Sequence, residues 1–276
     1  MSKKITKFDS LSELIAANEC WEKAPNRNGS SSRGNGDFYG KDTPTYESAV
    51  LKARTGWQQG ANRVSEMRSR LNDAVQSLAS AKAARMHYDV DGDWVDIGRV
   101  VVGDPECCGN WIHQGDDRSS KIVKIYANIC VSAAVNRETI FARGAACLAA
   151  VDLIETLGRR VELHACLGLS CAGRSAEIYT LVKEASQHVE TDRLAYILCH
   201  DSMLRRIGFA QMEIQGFNPC SSYPSGVHPD EEDCIILPEL LTGRTPSHED
   251  TIRQMLDICK KVGIEFDEAD IESACK

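Results

Sequence analysis

Four aspartates, Asp89, Asp91, Asp93 and Asp96, fall around the turn-forming pair Asp91-Gly92. Carboxylates at alternate positions share one face of a strand and could gather magnesium or calcium there. The spacing imitates the start of a calcium-binding loop, but the glycine stands fourth instead of sixth. The twelfth position is Val100, not a bidentate Glu, so an EF-hand is excluded. Asp93, Asp96 and Glu106 are the carboxylate group able to serve a metal-dependent hydrolase as ligands or as acid and base. The alternative is a solvated hairpin tip.

The twelve cysteines supply less chemistry than their number suggests. Their local groupings are His164-Ala-Cys166, Cys166-x4-Cys171, Cys107-Cys108 and Cys199-His200, and paired C-x2-C knuckles are absent, which argues against structural zinc. Cys147 and Cys259 fall where helices want small core residues, and Cys130 and Cys234 fall in expected strands. Cys199 and His200, adjacent on a helix, would point to different faces and cannot form a nucleophile–base pair. Gly168 to Ser175 has glycines and hydroxyls but neither the Walker lysine nor dinucleotide spacing, and reads as a strand-to-strand turn. No catalytic residue and no cofactor follow from these patterns.

The residues that must position any site belong to a chain of 276 residues, 42% hydrophobic and 26% charged, enough for one large domain or two modest ones. Apolar runs such as Ala145 to Leu153 are too short to span a bilayer. The opening residues carry positive charge without the apolar stretch of a secretory signal. The expectation is a cytoplasmic protein with reduced cysteines and no membrane partner. The net charge of −8 is uneven: residues 1–86 hold fourteen Lys and Arg against nine Asp and Glu, and the rest hold eighteen against thirty-one. Such opposition suits docking of one half on the other, or contact between copies in a homo-oligomer.

Ser10-Leu11-Ser12-Glu13 opens an N-terminal helix within residues 1–23. Residues 24–42, rich in Asn, Gly and Ser, form a flexible linker. Residues 43–120 comprise a helical arm and a β-hairpin: Pro44 starts one helix, with Tyr46, Ala49, Val50 and Ala53 on a stripe, and Val64, Met67, Leu71, Val75 and Leu78 mark the next. Its opposite face offers Arg63, Arg68, Arg70 and, at its end, Arg85 to a nucleic acid or an acidic partner. From Met86 to Val102 alternation predicts two antiparallel strands joined at Asp91-Gly92. Residues 121–276 then alternate strands and helices: strands from Lys121, Arg160, Ala176 and Asp233, and helices from Thr139, Thr191 and Ser247. The fold class is therefore α/β, with a Rossmann-like, mainly parallel sheet covered on both faces.

The strand Lys121 to Ala127 runs into Asn128-Ile129-Cys130-Val131-Ser132; the helix RGAACLAAVDLIETLG follows; Asp233 to Leu237 leads into Pro238-Glu239-Leu-Leu-Thr242-Gly243. This order resembles a von Willebrand factor A type domain over about half the chain. In that family the first strand ends in an Asp-x-Ser-x-Ser metal loop. Here Asn128 and Cys130 replace Asp and Ser and only Ser132 matches, so the resemblance implies a degenerate loop without metal. Across the whole chain, FDSLSEL, GW-x2-G, YDVDGDWVDIGR and GDPEC resemble an uncharacterised family encoded by tailed bacteriophages, which implies a bacterial host cytoplasm.

The leading expectation is a non-enzymatic adaptor that binds a protein through loops at the carboxyl ends of the strands, with Asn128, Cys130, Ser132, Glu239 and Thr242 as contacts. The alternatives are a nucleic-acid-associated protein using the basic arm and a metal-dependent hydrolase at the acidic hairpin.

Overall fold

A computed structural model describes residues 2–19, 38–66, 85–92, 94–112, 122–218, 222–241 and 247–264. Most of the expected linker, and the part of the basic arm beyond Glu66 up to residue 84, lie outside the described residues.

The fold is α/β. Its larger sheet contains β1 (Ser2–Phe8), β5 (Ile122–Asn128), β6 (Arg160–Cys171), β7 (Arg174–Lys183), β8 (Tyr223–Pro224) and β9 (Cys234–Leu237). The strand order is β1-β7-β6-β5-β9, with β8 added to the far end of β6. β5 pairs in parallel with β6 and β9, and β1 in parallel with β7. The one long antiparallel pair, β6 with β7, follows from a two-residue turn in which Ala172 and Gly173 both have positive φ, 47° and 77°. Such a turn matches strand twist and leaves no room for a crossover helix.

β1 departs from the sequence expectation, which assigned no strand there. Lys3, Ile5 and Lys7 alternate with Lys4, Thr6 and Phe8, and the lysines suit an edge strand that must not recruit other chains. Through β1 the N-terminal segment enters the same sheet as residues 122–237. α1 (Leu11–Asn18) and α2 (Tyr46–Thr55) contribute Leu14, Ile15, Ala49 and Ala53 to the same core as Ile125, Leu163 and Ile252. The expected boundary at residue 121 is thus crossed by a shared core.

Capping sets most helix ends. Ser10 caps α1, its hydroxyl accepting from the Glu13 N–H at 3.1 Å, while the Glu13 carboxylate accepts from Asp9. α2 starts at Tyr46, two residues beyond the start expected at Pro44, because Thr45 caps it in a box with Ser48. Residues 58–66 continue as α3. α5 (Arg137–Thr156) is buried along most of its length, and α8 (His248–Lys261) starts at the Ser247–Asp250 capping box. The single helix expected from Thr191 breaks into α6 (Thr191–Cys199), a six-residue π-helix (Met203–Gly208) and α7 (Phe209–Ile214). His200 takes an extended conformation at the break, and its Nδ1 accepts from the Ser202 N–H at 3.1 Å.

The helices pack on one face of the sheet only among the described residues. Val123, Ile125, Ala127, Leu163, Ala165, Ala176 and Ile178 share that face with side chains of α1 to α3 and α5 to α8. Tyr126, Cys166 and Tyr179, at the alternate positions, lie on the other face under Val227. The expectation of helices on both faces is corrected here: the antiparallel β6–β7 hairpin removes one of the crossovers that would have covered the second face.

The smaller sheet has the order β2-β4-β3, from β2 (Arg85–Asp89), β3 (Trp94–Val95) and β4 (Cys108–Ile112), all antiparallel. The expected hairpin is corrected as well. β2 and β3 do not pair with each other; β4 lies between them, and Ile97–Val101 is a short helix, α4, instead of strand.

Candidate interaction surfaces

At the carboxyl edge of the large sheet, the side chains expected to meet a partner are largely turned inward. Asn128 is buried: its Nδ2 donates to the Ser225 carbonyl at 2.7 Å and its Oδ1 accepts from the Cys130 N–H at 3.0 Å. Cys130 is buried too, and desolvation pushes its thiol up to about 12. Both residues shape the loop and leave contact to their neighbours. Ser132, half-buried, is fixed by its N–H to the Leu240 carbonyl at 2.7 Å, and Glu239 is half-buried beside it in the late turn. Thr242 lies outside the described residues.

A guanidinium joins these strand ends. Arg143 of α5 donates to the Asn128 carbonyl at 2.7 Å and to the Pro238 carbonyl, tying β5 to β9. Burial lowers its pKa to about 10, against the opposing field of Cys147 and Glu239. The donor set does not fit a hard divalent ion. The Asn128 amide is spent on backbone partners, the Cys130 sulfur is a neutral buried thiol, and a fixed cation already serves the strand ends.

The acidic segment is built differently from a metal loop. Asp96 caps α4, accepting from the Arg99 N–H at 3.3 Å and from the Tyr88 hydroxyl at 3.1 Å. These hydrogen bonds, the backbone one foremost, lower its pKa. Asp89 accepts from the Val90 N–H at 2.7 Å. Asp91 is exposed, and Asp93 lies outside the described residues. Among the described residues, no three His, Cys, Asp or Glu side chains converge as metal ligands.

The same module displays apolar side chains that the sequence reading assigned to strands. α4 buries no residue. Ile97, Val101 and Val102 are 75%, 79% and 79% exposed, and Val90, Val95 and Val100 of the same module are exposed as well. Arg99, the one cation of α4, is turned back onto the Tyr88 ring at 3.6 Å and onto Asp104 at 3.1 Å. The signal for this helix was Asp96 ahead of Ile97-Gly98-Arg99, an N-cap pattern hidden by β-branched residues that favour strand reading.

Of the basic residues, Arg63 is engaged within the molecule. It pairs with Glu138 at the start of α5 and lies over the Phe141 ring at 4.2 Å. Arg68 and Arg70 lie outside the described residues, as does the side chain of Arg85.

The helix-free face of the large sheet carries a group that sequence reasoning missed. Tyr126 stacks on His164 at 4.6 Å, His164 Nε2 is 2.9 Å from Glu162, and Tyr179 donates to Glu177 at 2.5 Å. Desolvation, then Glu177, raises the Tyr179 pKa. Lys124 pairs with Glu231 at 3.0 Å, and Lys3 with Glu177 at 2.9 Å. A cavity of about 130 Å³ opens here between β1 and residues 228–231. Glu162, His164, Glu177 and Tyr179 alternate with core residues, and that period was the available signal. The polar contacts are satisfied internally, which makes this face a closure for residues 225–231.

A family model described as Domain of unknown function (DUF7192) matches residues 2–265. No curated protein and no solved structure matches the chain.

Proposed function

The chain belongs to the DUF7192 family, and we propose that it acts as a non-enzymatic adaptor whose docking surface is the small module around α4. One observation carries this reading: Ile97 and Val101, four residues apart on one face of α4, are 75% and 79% exposed on an element that buries nothing, and Val102 directly after it is 79% exposed. Contiguous exposed apolar side chains are costly in water and mark contact surfaces. The polar groups nearest to chemistry are committed elsewhere: Asp96 caps a helix, and Asn128 and Cys130 are enclosed.

The von Willebrand A-like reading of the larger sheet belongs to the same proposal. Its support is the succession of β5 ending at Asn128, the small-residue helix α5, and β9 turning at Pro238 before α8. In this reading the sheet is a scaffold whose metal loop has been replaced by the Arg143 clasp. Its carboxyl edge offers Ser132 and Glu239 as a second contact. Bacteriophage origin and a bacterial host cytoplasm complete the proposal; among the described residues no helix is long and apolar enough to cross a membrane.

The test is capture from bacterial lysate by the tagged protein and by an I97S/V101S double variant, with and without nuclease. A protein recovered in stoichiometric amount, resistant to nuclease and lost from the variant, is the expected result. Equal recovery by both forms overturns the reading, and recovery that vanishes with nuclease transfers the function to the basic arm.

A further inference from the structure

We propose that the α4 surface receives a cationic amphipathic segment, a helix with an apolar stripe flanked by lysine or arginine. This rests on the adaptor reading and adds the chemistry of the partner.

The apolar group sits in an acidic segment of the chain. Residues 85–112 contain six acidic residues, two arginines and no lysine. One of the arginines, Arg99, lies over Tyr88 and pairs with Asp104, and with that pair cancelled five carboxylates stand against one arginine. Asp91 and Glu106 are exposed on the same small module as Ile97 and Val101. Hydrogen bonds from the Asp96 N–H to the Cys107 carbonyl and from Arg99 to the Glu106 carbonyl tie α4 to the acidic connection before β4. An apolar surface inside a negative field attracts an apolar segment that brings cations and repels one that brings carboxylates. A short amphipathic helix meets that demand with side chains at i, i+3 and i+4.

The α4 geometry limits what can dock. Ile97 and Val101, at i and i+4, share one face of a helix of little more than one turn, which suits a helix stripe instead of a large flat interface. β-branched side chains are stiff, so little side-chain entropy is lost when they are covered.

The experiment uses the full-length protein and two labelled peptides, one of leucine and lysine and one of leucine and glutamate, both amphipathic helices, read by fluorescence anisotropy. The lysine peptide is expected to bind about tenfold tighter or more, with affinity falling as salt rises. I97S/V101S should abolish binding while leaving the melting temperature unchanged, since both side chains are exposed. An unspecific attraction to a protein of net charge −8 would survive that variant and so overturns the site. Equal binding of both peptides, lost in I97S/V101S, overturns the cationic partner but leaves the adaptor surface standing. Concentration-dependent dimers that dissociate in I97S/V101S assign the surface to a second copy instead. Binding of neither peptide by the folded protein refutes the proposal.

Discussion

His200 Nε2 lies 3.0 Å from Asp42 Oδ1, across 158 residues of chain. The imidazole is closed from its other side by Ser202, whose N–H and hydroxyl lie 3.1 and 2.9 Å from Nδ1, and from above by the edge of Trp57. Asp42 thereby fastens the residues ahead of α2 onto the α6 break. Ser202, His200 and Asp42 have the residue types of a catalytic triad, but Ser202 is fully buried against the Tyr196 hydroxyl. The arrangement is a clasp, since a nucleophile must reach its substrate.

Removing one side of the clasp gives the first prediction. Asp42→Ala leaves a buried His200 without its partner and should cost about 1–2 kcal/mol, read by urea denaturation. The hydrogen bond from His200 is the largest cause holding the Asp42 carboxyl well below the usual carboxylate range, and Lys52 adds to it. A lowered folded pKa means that stability is complete above the unfolded value of about 3.9 and is lost as pH falls through the folded one. The acid limb of the wild-type stability curve should therefore flatten in Asp42→Ala. An unchanged limb would show that the pair contributes nothing.

Gly40 belongs to the same clasp. Its φ is +91°, and a Cβ there would stand 2.7 Å from Thr43 Oγ1 and 2.9 Å from His200 Cε1. Gly40→Ala is expected to destabilise by about 1–3 kcal/mol through strain and displacement together. Its effect should be less than additive with that of Asp42→Ala, because both loosen one contact. Full additivity in the double variant would separate the two.

Lys183 is buried at the end of β7, where its Nζ donates to Glu155 at 2.6 Å and to the Val161 carbonyl at 2.9 Å. Lys183→Ala removes the cation and a buried stem, and should cost about 3 kcal/mol. Lys183→Met with Glu155→Gln keeps the volume without the charges and is expected to recover part of the loss. Chemical denaturation of the three forms decides; a double variant no more stable than the single one would show that hydrogen bonding, not packing, dominates there.

The parts legible in the sequence were those written in short-range patterns. Ser10 and Ser247 announce helix starts, Gly158 and Gly263 follow helix ends, and the apolar runs of β5, β6 and β9 announce strands, whereas α5 starts at Arg137 under the Asn136 cap, two residues ahead of the expected Thr139. Pairing was less legible, because it depends on residues far apart. Nothing local in Met86 to Val102 shows that β4 lies between β2 and β3, and nothing in Lys3 to Phe8 names β7 as neighbour. The same limit hid the site: Asn128 reads as a loop contact until Ser225 and Arg143 are seen to enclose it. Exposure of Ile97 and Val101 is likewise a statement about what fails to pack on them, which no window of sequence contains.

Gly168 tests how the helix-free face is closed. A Cβ there would land on the Ser225 carbonyl, while the Ser225 N–H already donates to the Gly168 carbonyl at 2.9 Å. Gly168→Ala must push residues 225–227 away from β6 and lift Val227 from Tyr126, Cys166 and Tyr179. Amide exchange across 225–233 should quicken while α5 keeps its protection. Protection unchanged in both segments would show that the chain accommodates the methyl without moving.

Thiol reactivity reads the same packing by another route. All nine described cysteines are free. Burial pushes Cys130, Cys147 and Cys259 up to about 12 and raises Cys166 and Cys199 as well. A thiol reacts as its thiolate, so at mildly alkaline pH these five are both inaccessible and protonated. Alkylation of the native protein, mapped by mass spectrometry, should label the half-exposed Cys107 and Cys171 first and the five buried residues only after denaturation. In Gly168→Ala, Cys166 should become the exception, because its cover over the sheet is residues 225–227, whereas Cys147 and Cys199 lie on the helical side. Selective gain of label at Cys166 would locate the opening on that face; uniform gain at all five would mean that the variant unfolds globally.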